Sequence, residues 1–174
     1  MKRLAITIFS IAVVAIAVIG CGSQARKLAH GSEINYLTKG SPKIEYTSYE
    51  FLLDEFEHEA KRNDWSSEER ENRKRIIPPG GIITVHFESD SIQYANAGNY
   101  TVVLELAGKE IERKTGREET PEEIYRQDKD ETSYWSKLVV NITEELKEPL
   151  KVYVIDKLRS VRYEYDVIPE SLSE

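Results

Sequence analysis

Three histidines, a single cysteine and 31 carboxylates are the side chains with which this 174-residue chain could do chemistry. The histidines are His30, His58 and His86, and no two stand at the spacing of metal ligands in a shared motif. His58-Glu59 opens like the zinc-protease helix signature, but the second histidine that signature needs is Arg62 here. His86 reads as the solvent-facing residue of a strand rather than as a catalyst. Nucleophilic catalysis has as little to work with. No serine lies in a Gly-x-Ser-x-Gly elbow, and no glycine loop of the phosphate-cradling kind occurs. Glycoside hydrolysis needs two carboxylates at a fixed separation. Glu88 and Asp90, at a strand end, are the most tempting pair, and they read as ordinary loop acids. Asp128-Lys129-Asp130-Glu131 suggests a calcium loop. The EF-hand pattern, however, wants glycine sixth and glutamate twelfth, where this chain has Ser133 and Val139. No catalytic, metal or cofactor residue emerges.

The aromatic residues are the more informative surplus. There are ten tyrosines, and both tryptophans precede serine, Trp65 before Ser66 and Trp135 before Ser136. Buried rings fill cores, whereas exposed ones favour interfaces. Tyr94 stands just before Ala95-Asn96-Ala97-Gly98-Asn99, a loop by its composition. Trp135, with Lys137 and Val139, points opposite to Leu138 and Val140 on a strand. If Leu138 faces the core, Trp135 is exposed or covered by a helix. Packing under the helix expected near 49–60 is the bland reading, and a binding surface that includes Tyr94 and Trp135 is the sharper one.

The elements that must position these residues change character at Pro78-Pro79-Gly80-Gly81. Before it, Ile34 to Tyr36 and Ile44-Glu45-Tyr46 suggest two short strands. Thr47-Ser48-Tyr49-Glu50 fits a capping box, with Thr47 as the cap. Tyr49, Leu52, Leu53, Phe56 and Ala60 recur at helical spacing, so a helix is predicted over 48–62, with a strand running on from Ile44 through Phe51 as the alternative. Ser66-Ser67-Glu68-Glu69 offers a second start, with Arg70 to Arg75 as a charged helix or a solvated arm with almost no apolar face. Proline and glycine then end the helical part.

After residue 81 the period is two. Ile83, Val85 and Phe87 alternate with polar residues, as do Tyr100, Val102, Leu104 and Leu106. Ala107-Gly108-Lys109 reads as a hairpin turn, with 111–114 as the returning arm. Thr120-Pro121-Glu122-Glu123 fits a capping box with proline at the first helical position, which predicts a turn or two of helix near Ile124 and Tyr125. Leu138, Val140 and Ile142 share one strand face, and Leu150, Val152 and Val154 share the next. Lys157-Leu158-Arg159-Ser160 reverses the chain before Val161, Tyr163, Tyr165 and Val167. Strands without regular helical crossovers make a doubly wound parallel fold unsuitable. The expected fold is mainly β: an antiparallel β-sandwich, immunoglobulin-like or similar, of seven or eight strands, with a helical insertion before Pro78.

The N-terminus is of another kind. Met1-Lys2-Arg3 is a basic head, residues 4–19 are apolar apart from Thr7 and Ser10, and Gly20 precedes Cys21. The apolar run is 16 residues, short of the roughly 20 that span a bilayer. Head, core and small residue are the parts of a secretory signal. Val18-Ile19-Gly20-Cys21 resembles the lipobox of bacterial lipoproteins. That resemblance implies removal of residues 1–20 and lipidation of Cys21 by two or three acyl chains, enough for stable anchoring where one is marginal. It also implies that a bacterial host leaves the sequons Asn99-Tyr100-Thr101 and Asn141-Ile142-Thr143 bare. Residues 21–33 would be a flexible tether and 34–174 a single domain, mixed with helix over 34–77 and β-rich over 78–170. Gly22, in place of the aspartate that retains such proteins in the inner membrane, implies the outer membrane of a Gram-negative envelope, facing the periplasm.

Without Lys2 and Arg3 the chain keeps 22 bases against 31 acids, a balance of −9. This argues against nucleic acid and gives no general attraction to anionic lipid. The expected membrane contact is the anchor alone. The function that follows is a non-enzymatic binding or assembly module, with an envelope protein or polysaccharide as partner. The alternative is an envelope hydrolase working through carboxylates or a divalent metal.

Overall fold

Alternating apolar residues form stable strands only where their apolar side meets other apolar surface, and here nine strands in two sheets supply it. The computed structural model describes residues 27–28, 41–127 and 130–169. Within them the strands are β1 (Lys27–Leu28), β2 (Lys43–Thr47), β3 (Ile82–Ser89), β4 (Tyr100–Leu106), β5 (Lys109–Thr115), β6 (Glu122–Arg126), β7 (Glu131–Asn141), β8 (Leu150–Asp156) and β9 (Val161–Val167). Helices α1 (Tyr49–Arg62) and α2 (Ser67–Lys74) lie between β2 and β3, and the short α3 (Ile92–Ala95) between β3 and β4. The protein is mainly β. One antiparallel sheet has the order β2-β3-β7-β6, and the other has β9-β8-β4-β5. The two-residue β1 pairs in parallel with β9 at the edge of the second sheet. It lies in the stretch expected as tether, so two residues of that stretch are paired.

Both sheets contribute to one buried cluster. Ile83, Val85 and Phe87 of β3 and Leu138 and Val140 of β7 join Val102 and Leu104 of β4 and Val152 and Val154 of β8. Phe87 and Tyr100 stack between the sheets with centroids 4.0 Å apart. Burying each such side chain is worth about 1.5–3 kcal/mol. Central β4 is buried on both faces, and Val103 on its other side is also covered. The hairpin turn stands where it was expected, at Ala107 and Gly108, both with positive φ.

The helical part begins one residue later than expected. Ser48, not Thr47, caps α1, its hydroxyl accepting from the Phe51 N–H at 3.2 Å. Thr47 is the last residue of β2, paired with Ile82. The second helix starts where the sequence offered it, capped by a reciprocal box between Ser66 and Glu69, and no residue of α2 is buried. Phe56 of α1 meets Trp65, 5.6 Å between centroids, and the Arg73 guanidinium lies 4.1 Å from the same indole. Among the described residues no helix is long and apolar enough to cross a membrane.

The helix expected near Ile124 and Tyr125 is a strand. The 122–126 segment pairs residue for residue with β7, Glu122 opposite Trp135 and Arg126 opposite Glu131. Five ladder positions offer more backbone hydrogen bonding than one helical turn with a costly nucleus, so pairing overrides the cap signal. The strand expected at Ile34 to Tyr36 lies outside the described residues.

Candidate functional site

The β8–β9 turn is organised by one buried carboxylate. An aspartate at the start of a turn can accept from backbone N–H groups two and three residues on. Asp156 does so: Oδ1 accepts from Leu158 N–H at 2.9 Å and Arg159 N–H at 3.0 Å. Its other oxygen lies 2.8 Å from Arg159 Nε, and the residue is fully buried. With the polar groups turned inward, Leu158 is left outward and is 48 % exposed. Lys157 ties the turn to the neighbouring loop. Its N–H donates to the Asn99 carbonyl and its Nζ to the Gly98 carbonyl, both at 2.9 Å.

That neighbouring loop joins β3 to β4. Ala95 and Ala97 are its buried footholds, and the Ser136 hydroxyl donates to the Ala95 carbonyl. Asn96 Oδ1 accepts from Gly98 N–H at 2.9 Å, and Asn99 Nδ2 donates to the Gln93 carbonyl at 2.8 Å. Tyr100, buried beneath, donates its hydroxyl to the Tyr94 carbonyl at 2.7 Å. The Arg159 guanidinium sits over the Tyr94 ring, 4.6 Å from its centroid, with Nη2 3.4 Å from the Tyr100 oxygen. Burial, and after it the Asp156 carboxylate, push the Tyr100 phenol up to about 12. Burial raises Tyr163 as well, against the pull of Arg159.

The third wall is the β5–β6 connection. It approaches so closely that a Cβ on Gly98 would stand 2.9 Å from Glu118 Cα. Between the three segments lies a cleft of about 480 Å³. Ile92, Gln93, Asn96 and Asn99 line it from the first loop, Glu118, Glu119, Thr120 and Pro121 from the second, and Leu158 from the turn. Five of the seven exposed large hydrophobic residues among those described belong to this end of the molecule: Ile92, Tyr94, Tyr125, Leu158 and Val161. Of these, Ile92 and Leu158 line the cleft itself.

The sequence-named residues are dispersed. Tyr94 is beside the cleft, and Asn99 lines it. Trp135 is half-buried on the outer side of its sheet, in register between Glu88 and Glu122. The expected cover of Trp135 by the helix is not what α1 provides, since the indole that α1 packs against is Trp65. Glu88 and Asp90 do not act as a pair. Glu88 is bound by Lys43 at 3.0 Å and by Arg126, while Asp90 accepts from the Ser89 hydroxyl at 3.3 Å. Burial works to raise the Glu88 carboxyl, but its Lys43 and Arg126 partners hold it below the usual range. His86 Nε2 lies 3.3 Å from Glu45 Oε2 on the outer side of the sheet, and His58 stays on exposed α1. Asp130 accepts from the Tyr125 hydroxyl at 2.7 Å. Among the described residues no three His, Cys, Asp or Glu side chains converge as a metal site would require. Cys21, His30 and Asp128 lie outside the described residues.

Ile92, Glu118, Glu119 and Leu158 were not singled out from the sequence. Only the Asp156-x-x-Arg159 turn carried a readable signal, an aspartate where a strand ends. The chain matches no family model, no curated protein and no solved structure.

Proposed function

We propose that the chain is a bacterial envelope protein, lipid-anchored at Cys21 after removal of residues 1–20, that acts as a non-enzymatic binding or assembly module through the cleft at its loop end. It would sit in the outer membrane facing the periplasm of a Gram-negative host, with an envelope protein or polysaccharide as its partner. The observation that carries the reading is the cleft itself: three connections converge on it, and the exposed side chains of Ile92 and Leu158 line it.

The finer fold belongs to the same proposal. We read the two sheets as an immunoglobulin-like sandwich, with α1 and α2 as an insertion between its first two strands. The strand orders support this. β2-β3-β7-β6 follows the A-B-E-D order of such sandwiches, and β9-β8-β4-β5 follows their G-F-C order with one strand added beyond C. On that reading the cleft lies between the B–C loop, the F–G loop and the connection after the added strand. This is the end at which variable domains carry their binding loops. The Cys…Trp…Cys hallmark of true immunoglobulin domains is missing from the sequence.

The experiment is a photo-crosslinking residue placed at position 158 of the full chain in its host, with one at position 71 on α2 as control. A single specific adduct at 158 and none at 71 supports the module. No adduct at 158 overturns it. The anchor has a separate test. Cys21→Ser should abolish lipid labelling and release the protein from membranes, and retention with an intact N-terminus would refute lipidation.

A further inference from the structure

We infer that the cleft receives a cationic side chain, lysine or arginine, from a partner polypeptide, an inference that rests on the loop end being a binding surface. Two kinds of group meet there. Ile92 and Leu158, 45 % and 48 % exposed, present apolar surface from two different loops. Glu118 and Glu119 present carboxylates from the third, and among the described residues neither forms an ion pair. A long basic side chain has this same division, with a methylene stem that lies along apolar surface and a charged head that seeks carboxylate.

Among the described residues, the nearby cations are turned elsewhere. Lys157 Nζ is bound to the Gly98 carbonyl. Arg159 is turned toward Asp156 and the Tyr94 ring. Arg117 precedes the two glutamates, and no ion pair joins it to either among the described residues. Some carboxylates on the sheet faces are neutralised by the protein itself: Glu88 has Lys43 and Arg126, and Glu164 and Asp166 share Lys151.

Other ligand classes fit less well. An anion would meet two carboxylates. A neutral sugar seeks an open aromatic face, but Tyr94 has the Arg159 guanidinium over its ring and is not part of the lining. Trp135 lies out on the sheet. A balance of −9 also draws cations toward the molecule.

The test is a titration of the full chain in detergent micelles, followed by the methyl NMR signals of Ile92 and Leu158. The probes are a capped Ala-Ala-Lys-Ala-Ala peptide, its Nε-acetyl form and maltohexaose. The lysine peptide should shift both methyls, saturating at roughly millimolar concentration. Binding should weaken at least about tenfold on acetylation, in E118Q/E119Q, and in about 0.5 M salt. Both glutamates are exposed, so the double variant should keep the fold. Equal binding of the acetylated peptide overturns the inference, as does an unchanged E118Q/E119Q titration. Shifts from maltohexaose but not from the lysine peptide overturn the cationic ligand and leave the binding surface standing. Silence from all three probes also overturns the cationic ligand, and the crosslinker at position 158 then reports separately on the surface.

Discussion

At the end of the sheets where the helices enter, the chain turns at two glycines whose missing side chains let backbones meet. Gly80 donates its N–H to the Ile142 carbonyl at 3.0 Å, and Ile142 donates to Gly81 at 2.9 Å. The Tyr46 hydroxyl, 3.2 Å from the Gly80 carbonyl, closes the corner from below. At the opposite end the chain turns around a buried charge, with Asp156 holding two backbone N–H groups and Arg159. The first solution brings backbones together. The second gathers the polar groups inward, so that Leu158 is displayed and space remains between loops. Two ends of the same sheets thus differ in what they leave unused, and that difference singles out the loop end.

The largest effect should come from breaking the glycine corner. A Cβ on Gly80 would fall 2.2 Å from the Glu144 carbonyl oxygen and 2.4 Å from Ile142 Cγ2. Backbone must move, so Gly80→Val is expected to cost about 3–4 kcal/mol in urea unfolding. A cost below about 1 kcal/mol would show that this corner is softer than its contacts imply. Next is the charged turn. Asp156→Ala removes two backbone acceptors and leaves Arg159 without its carboxylate, for about 2–3 kcal/mol. That is less than a fully buried pair would lose, because Arg159 is 30 % exposed. Asp156→Asn keeps the backbone acceptor and loses the charge, so it should recover about half. If alanine and asparagine cost the same, the ion pair and not the turn is what matters.

The same end should respond to alkali. The folded-state pKa of Tyr100 is raised from 10.0 to about 12. A raised pKa means that stability is present below about pH 10 and is lost as pH climbs toward about 12. The loss should be on the order of 2 kcal/mol, read as a falling urea midpoint with a phenolate absorbance that appears late. Tyr100→Phe should flatten that slope. A slope unchanged in the variant would assign the alkaline loss to other groups.

Much of this architecture could be read from residues. Ile83, Val85 and Phe87 announced β3 because one side of that strand is apolar, and Ser66-Ser67-Glu68-Glu69 announced the start of α2 because a helix start is set within a single turn. Local rules failed where pairing decided the outcome, as in β6, where a cap signal at Thr120-Pro121 was overruled by a ladder with β7. The cleft was less legible still. Ile92, Glu118 and Leu158 are separated by dozens of residues, and none is unusual where it stands. They become a site only because β3, β5 and β8 end at the same side of the molecule. Tyr94 was noticed as an aromatic beside a loop, but the ring's cover by Arg159 depends on a turn 65 residues away. The charged sheet face is intermediate. Glu88 was picked out as an acid at a strand end, but its Lys43 and Arg126 partners come from β2 and β6. Glu88→Gln should therefore cost about 1 kcal/mol near neutral pH. Because the Glu88 pKa is lowered, that contribution is present above the usual carboxylate range and fades as pH falls below about 4.5, so wild type and variant should converge in acid.

The smallest effect on stability is expected where the comparison puts the most weight. Ile92 and Leu158 are about half exposed, so truncating them removes little buried surface. Ile92→Ser and Leu158→Ser should each change unfolding free energy by less than about 0.5 kcal/mol. The surroundings explain why. Asp156, Lys157 and Arg159 hold the turn through the backbone and through Asn99 and Gly98, without help from the Leu158 side chain. A residue that the fold does not need, placed outward on a turn that the fold holds firmly, is available for an encounter. If Leu158→Ser instead costs 2 kcal/mol or more, on the scale of a core truncation, the leucine is a packing residue and its exposure is incidental. If stability is unchanged while crosslinking from position 92 to a partner is lost in Leu158→Ser, the two side chains act together across the cleft, as a surface kept for a ligand requires.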